Sequence, residues 1–130
     1  MTDKRKILIV EDEILTARMI SNQLRNSGYN TCRLATNGED ALSAAASENP
    51  NLILMDIRLA GTMDGIEVAE MILSRRKIPI VFMSGYINND IIDRAEQLKP
   101  LAYLTKPFNL AELQSIIDSY FEMAGSAPLA

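Results

Sequence analysis

The run Leu52-Ile53-Leu54-Met55-Asp56 constrains this chain more than any other stretch. Four apolar residues pass, without polar alternation, straight into a carboxylate. Such a run reads as a β-strand covered on both faces, the condition of a central strand in a parallel sheet. Its last side chain then stands at the carboxyl rim, where ligands bind in open α/β sheets. Asp56 is therefore expected on a rigid element at a binding edge.

The rest of the chain supplies the partners of that strand. Residues 7–10 and 78–83 are apolar runs of the same kind, whereas 30–35, with Thr31 and Arg33, and 102–105 are of mixed polarity. Helical patterns lie between them. Ile14, Leu15, Met19, Ile20 and Leu24 fall close to helical spacing, and Gly28 ends that helix. Asn37 is placed to cap a helix through the alanine-rich 41–47, with Glu39 and Asp40 in its first turn. After a loop over 58–64 that contains Gly61, Gly65 leads into a helix over 66–76. Ile87, Ile91, Ala95 and Leu98 share one face of a helix over 87–98. Asn109 caps the last helix, with Glu112 at the capping-box position and a stripe of Leu110, Leu113, Ile116, Ile117, Tyr120 and Phe121. Five strands alternating with five helices imply an α/β fold: a parallel sheet with helices on both faces and right-handed crossovers. Strands one, three and four are apolar throughout and belong in the centre. The mixed strands two and five belong at the edges, which the order 2-1-3-4-5 satisfies.

With 130 residues, of which 48% are hydrophobic, the chain has enough material for one packed domain. A net charge of -4 argues against a nucleic-acid footprint. No stretch reaches the apolar length of a membrane span, and the run at 7–10 is too short for a signal-peptide core. The single cysteine, Cys32, allows no internal disulfide and points to a reducing, cytoplasmic setting; it reads as a small strand residue. The chain has no histidine, which removes histidine-based catalysis, most zinc sites and a histidine phosphocarrier role.

In a parallel sheet all carboxyl ends point one way. Glu11 and Asp12 follow strand one, Asp56 ends strand three, Ser84 ends strand four and Lys106 follows strand five. Three carboxylates, a hydroxyl and an ammonium thus meet at one rim. The carboxylates repel unless a cation sits among them, and an oxygen-only donor set suits Mg²⁺ or Mn²⁺. With Lys106 opposite, the rim becomes a positive pocket for a phosphoryl group, with the Asp56 carboxylate as nucleophile. Each piece alone has a plainer explanation. Acids at 11–13 suit any helix N-terminus, which is the expected role of Glu13. Asp56 and Ser84-Gly85 suit turns, Lys106-Pro107 suits a loop, and Tyr103 suits a packed edge. Their coincidence at one end of consecutive strands is what turn chemistry does not explain.

These residues fall in motifs: Val10-Glu11-Asp12, Leu54-Met55-Asp56, Met63-Asp64-Gly65, Met83-Ser84-Gly85 and Tyr103-Leu104-Thr105-Lys106-Pro107-Phe108. On them the chain, from about residue 6 to 121, resembles the receiver domain of two-component response regulators. The resemblance implies a flavodoxin-like (βα)5 three-layer sandwich, whose sheet order is also 2-1-3-4-5. It implies Asp56 as phospho-acceptor, Asp12 as a direct Mg²⁺ ligand, Glu11 as a ligand through water, and the Arg58 backbone carbonyl as the last protein ligand. Ser84 would hydrogen-bond the phosphoryl group and Lys106 would pair with one of its oxygens. The Lys106-Pro107 bond would be cis, and Tyr103 would turn inward as Ser84 moves. The donor would be a phosphohistidine on a sensor histidine kinase or a histidine phosphotransfer protein. The output protein is not specified, and pairing of two copies on phosphorylation is among the family's behaviours.

Three features depart from the family's usual form. The loop after Asp56, Leu59-Ala60-Gly61-Thr62-Met63-Asp64-Gly65, is longer by one residue and lacks a proline. Glu11 stands where aspartate is also common. Arg58 and Tyr86 occupy variable positions flanking the acceptor, and Tyr86 is expected to shield the acyl phosphate from water. The expected layout is a receiver domain over 1–124 and a tail or linker start over 125–130, whether as a free-standing protein or a piece of a longer regulator or hybrid kinase. Other readings are weaker. An aspartate-nucleophile phosphohydrolase would want an acid where Arg58 stands. A nucleotide or flavin module would want a phosphate loop where Glu11-Asp12-Glu13 stands. A binding module that works without phosphorylation has no reason to keep the whole acceptor site.

Overall fold

In the computed structural model, which describes residues 5–85 and 88–125, the chain alternates strand and helix throughout. The elements are β1 (Lys6–Val10), α1 (Ile14–Asn26), β2 (Asn30–Thr31), α2 (Gly38–Glu48), β3 (Leu52–Asp56), α3 (Gly65–Leu73), β4 (Ile80–Ser84), α4 (Asn89–Gln97), β5 (Ala102–Thr105) and α5 (Leu110–Gly125). The strands form one parallel sheet in the order β2-β1-β3-β4-β5. This is the expected flavodoxin-like arrangement. The register sets Val10 beside Met55, Asp56 beside Met83 and Ser84 beside Thr105, so the strand ends that carry polar groups are level.

Side chains alternate across the sheet and build two cores. Leu8, Val10, Ile53, Met55, Ile80 and Phe82 pack with residues of α2, α3 and α4 on one face. Ile7, Ile9, Leu52, Leu54, Val81 and Met83 pack with α1 and α5 on the other. Every residue of β3 and β4 is buried. Each large apolar side chain so placed contributes on the order of 1.5–3 kcal/mol, which is why these runs cannot tolerate polar alternation.

Two helix caps fall where the sequence signals put them. Asn37 Oδ1 accepts the Asp40 N–H at 2.9 Å, and Asn109 Oδ1 accepts that of Glu112 at 2.6 Å. Asp64 and Glu67 form a reciprocal capping box at the start of α3. The Lys106-Pro107 peptide is cis, as expected.

Four boundaries differ from the sequence reading, each for a local reason. The ladder of β2 covers only two residues. Beyond it the Arg33 N–H and guanidinium turn to Glu48, Ser47 and Ser43 of α2, and Ala35 returns to β1 as a single bridge. β4 begins at Ile80 rather than residue 78, because Pro79 has no N–H to give a ladder. α3 stops at Leu73, where Ser74 and Arg75 close the helix with bonds back to Glu70 and Ile72. α4 starts at Asn89, capped by Asn88; Ile87, expected on its inner face, lies outside the described residues. Residues 126–130 of the expected tail also lie outside them.

The expected helix is present as α1. Its apolar set divides in two. Ala17, Ile20 and Leu24 face the core with Ser21, while Ile14, Leu15 and Met19 are 43%, 71% and 60% exposed.

Candidate functional site

Each functional side chain is fixed by the strand it leaves. β1 ends at Val10, so Glu11 emerges at the rim, and its N–H is held by the Ala35 carbonyl at 2.9 Å. β3 ends on Asp56, whose neighbour Ile57 is tied to Met83 at 2.9 Å. β4 ends on Ser84, and the Ser84 carbonyl accepts the Lys106 N–H at 2.8 Å. The ladder positions that pin the strands therefore also pin these polar groups.

Glu11, Asp12 and Asp56 each present a carboxylate oxygen, and these oxygens lie within 4.8 Å of one another. Glu11 is fully buried and Asp56 is 3% exposed, whereas Asp12 faces solvent. Lys106 spans the first and last: its Nζ donates to Glu11 Oε1 at 2.6 Å and to Asp56 Oδ2 at 3.1 Å. The other Asp56 oxygen accepts the Arg58 N–H at 3.1 Å, and the other Glu11 oxygen accepts the Glu13 N–H at 3.2 Å.

Charge is poorly balanced at this rim. Burial pushes the Glu11 carboxyl above its usual range, the neighbouring Asp56 adds to this, and Lys106 opposes it. Asp12 is raised by burial and by Glu11. For Lys106, burial pulls downward, but the bonds to Glu11 and Asp56 prevail and leave it raised. All three shifts favour the more positive form, as expected where three carboxylates share one ammonium. That leaves a deficit of two charges, and the donor chemistry is oxygen alone. The residues therefore fit a hard divalent cation.

Ser84 is completely buried beside this cluster. Tyr103 packs half-buried against the core beneath α2, α3 and α4, and its hydroxyl is shut off from solvent without a well-formed hydrogen bond. Burial raises its pKa, and the Ser84 hydroxyl nearby partly offsets this. The structure thus brings Glu11, Asp12, Asp56, Ser84 and Lys106 to one rim, with Tyr103 one strand away. Glu13 takes the N-cap position of α1, but its carboxylate accepts the Thr16 hydroxyl at 2.7 Å instead of capping the backbone. Tyr86 lies outside the described residues.

Two relations had no clear signal in the sequence. Gly65 packs so closely on the end of β3 that a Cβ there would lie 2.0 Å from the Asp56 carbonyl oxygen. Its N–H also donates to the Ile57 carbonyl at 2.7 Å. The motif Met63-Asp64-Gly65 pointed to the residue but not to this contact. The added loop length is taken up by a parallel bridge between Ala60 and Asn37, with Met63 lying over Gly38.

Comparison with known proteins gives a consistent picture. The family model described as response regulator receiver domain matches residues 7–118. The chain is 35% identical over 114 residues to the transcriptional regulatory protein PdtaR of Mycobacterium tuberculosis, covering 88% of this chain and 55% of that protein. It is 32% identical over 119 residues to sporulation initiation phosphotransferase F of Bacillus subtilis, covering 91% and 94%. It therefore spans about half the length of the first relative and nearly all of the second. Among solved structures, a two-component response regulator from Clostridium difficile matches with a TM-score of 0.86 at 27% identity, over 93% of this chain and 98% of that one. A CheY-like receiver domain protein from Methanospirillum hungatei JF-1 shares the fold with a TM-score of 0.87 at 24% identity, over 97% and 100%. No helix among the described residues is long and apolar enough to cross a membrane. On the match from residue 7 to residue 118, and on relatives and structures that share it, this chain belongs to the response regulator receiver family of CheY-like signalling domains.

Proposed function

We propose that the chain is a phosphorylation-controlled switch in which Asp56 accepts a phosphoryl group. The observation that carries this is the Lys106 ammonium spanning Glu11 and Asp56 at a rim that also holds Asp12. Asp12, Asp56 and, through water, Glu11, with the Arg58 carbonyl, would hold Mg²⁺ or Mn²⁺. That ion supplies charge neutralisation for the phosphoryl oxygens. An Asp56 carboxylate oxygen attacks phosphorus as the P–N bond of a donor phosphohistidine breaks, and the departing imidazole nitrogen keeps the electron pair and takes a proton. Lys106 pairs with a phosphoryl oxygen, and Ser84 donates its hydroxyl to another. Phosphoryl transfer asks for this positioning and charge stabilisation and little else.

The donor is a sensor histidine kinase or a histidine phosphotransfer protein. The exposed Ile14, Leu15 and Met19 support this, because α1 begins directly after the acidic rim and offers an apolar surface beside Asp12. The signal leaves through the face made by α4, β5 and α5, where Tyr103 responds to Ser84. The output acts by protein contact or through a domain beyond this chain, in the cytoplasm.

The test is intact mass after incubation with acetyl phosphate and Mg²⁺, with Asp56→Ala alongside. One phosphoryl group on the native chain only, absent when EDTA is present, supports the reading. No adduct with Mg²⁺ binding intact restricts the reaction to a protein donor, which a phosphorylated kinase then tests. No adduct and no Mg²⁺ binding overturns the reading.

A further inference from the structure

α4 is held differently from the other helices. It has nine residues, as α3 does, yet only Ala95 is fully buried, whereas α3 buries Gly65, Ile66, Val68, Ala69 and Ile72. Ile91 and Leu98 are half-buried against the same core. Its cap is local, from Asn88 to the Ile91 N–H. Among the described residues, one side chain of α4 makes a polar tie to another element: Arg94 donates from Nη1 to Asp64 Oδ2 at 2.9 Å and from Nη2 to Asp64 Oδ1 at 3.3 Å. This is a two-pronged pair on a carboxylate, the geometry that best fixes orientation.

The far end of the tie is unusually rigid. Asp64 Oδ1 also caps α3 by accepting the Glu67 N–H at 2.9 Å, and the Asp64 N–H donates to Glu67 Oε1 at 3.0 Å. The next residue, Gly65, is the one pressed against the Asp56 carbonyl oxygen. A thinly packed helix is thus moored to the residue adjoining the backbone contact of Asp56.

We propose that the Arg94–Asp64 pair is a latch that holds α4 in its present position and ties that position to the backbone around Asp56. The second half of this rests on Asp56 being the acceptor; the first does not. Glu67 and Glu70 of α3 add attraction for Arg94 in the same direction. The pair is half-exposed, so its hold is modest and reversible, which is what a switch element requires.

The test uses the full chain with Arg94→Met, Asp64→Asn and the double variant. Asparagine keeps the N-cap at residue 64 while removing the ion pair. Hydrogen exchange of residues 89–97 in the unphosphorylated protein should quicken about two- to five-fold in each single variant, with α2 unchanged, and the double variant should add nothing further. Unchanged exchange in both single variants, or additive effects in the double, overturns the latch. The same proteins are then treated with acetyl phosphate and Mg²⁺. A raised phosphorylation rate in Arg94→Met supports the tie to Asp56, and a rate equal to that of the parent overturns it. Faster exchange with neither phosphoryl uptake nor Mg²⁺ binding by any form, the parent included, upholds the latch and counts against Asp56 as acceptor.

Discussion

A methyl group on Gly65 would fall 2.0 Å from the carbonyl oxygen of Asp56. No flexible side chain can yield there, since the obstacle is the backbone at the end of β3. Gly65→Ala should therefore push β3 and α3 apart. We expect a loss of about 1–3 kcal/mol in stability, as for overpacking elsewhere, and a reduced phosphoryl adduct at Asp56. Gly61→Ala is the control. Gly61 has a φ of 99° but nothing within 4 Å of a Cβ, so it should lose about 1 kcal/mol through backbone strain and keep the adduct. Urea midpoints and intact mass measure both effects. Equal effects of the two substitutions would rule out the close contact as the cause.

Lys106→Met separates the two duties of the ammonium. Its removal leaves Glu11 fully buried and without its 2.6 Å partner. Because Lys106 is itself 28% exposed and Glu11 can take up a proton, the loss should be about 1–3 kcal/mol, below that of a fully buried pair. Divalent-cation affinity should rise, since no ammonium competes for Glu11 and Asp56, while phosphoryl uptake should be lost. The chain has no tryptophan, so titration calorimetry is the suitable binding measurement. Weaker Mg²⁺ binding in the variant would contradict competition between the Lys106 ammonium and the cation for Glu11 and Asp56.

The exposed half of α1 should matter for the donor and not for folding. Ile14, Leu15 and Met19 changed together to serine should shift stability by about 0.5 kcal/mol or less each, as at other surface positions. Uptake from acetyl phosphate should be unchanged, and transfer from a phosphohistidine protein should fall about tenfold or more, the consequence of losing at least ~1.4 kcal/mol of docking. Equal rates from the protein donor before and after substitution would remove α1 from the docking surface.

These α1 residues also show where sequence reading ends. Periodicity placed a helix at the correct position, since Ile14, Leu15, Met19, Ile20 and Leu24 all fall near helical spacing. It did not tell which of them face the core, because two apolar stripes on one helix satisfy the same pattern. The central strands were legible, because β3 and β4 are buried on both faces and carry no polar interruption. So was the gathering of Glu11, Asp12, Asp56, Ser84 and Lys106, which follows from parallel strands having their ends on one side. The contacts between Arg94 and Asp64 and between Gly65 and Asp56 were not legible. They depend on how loop 58–64 is packed, and its bridge from Ala60 to Asn37 has no local signal.

Cys32 offers a measurement away from the rim. Burial pushes its thiol up to about 11; Glu48 adds to the shift, and Lys6 and Arg33 oppose it. At pH 8 roughly a thousandth of the thiol is thus ionised in the folded protein, against about a quarter for an unperturbed thiol. Alkylation of the native chain should be slow at that pH and should become fast in denaturant. The sign for stability follows by linkage. A raised acid pKa means the folded state holds the proton more tightly, so the contribution is complete below the unfolded value near ~8.5 and is lost as pH rises through 11. Tyr29 is raised by burial and by its hydrogen bond to Asp118, so it adds to the same alkaline decline. The urea midpoint should fall between about pH 8.5 and 11, and the fall should be shallower in Cys32→Ala, whose curve lacks the thiol's share. Parallel curves for the two proteins would show that the Cys32 thiol does not couple to folding.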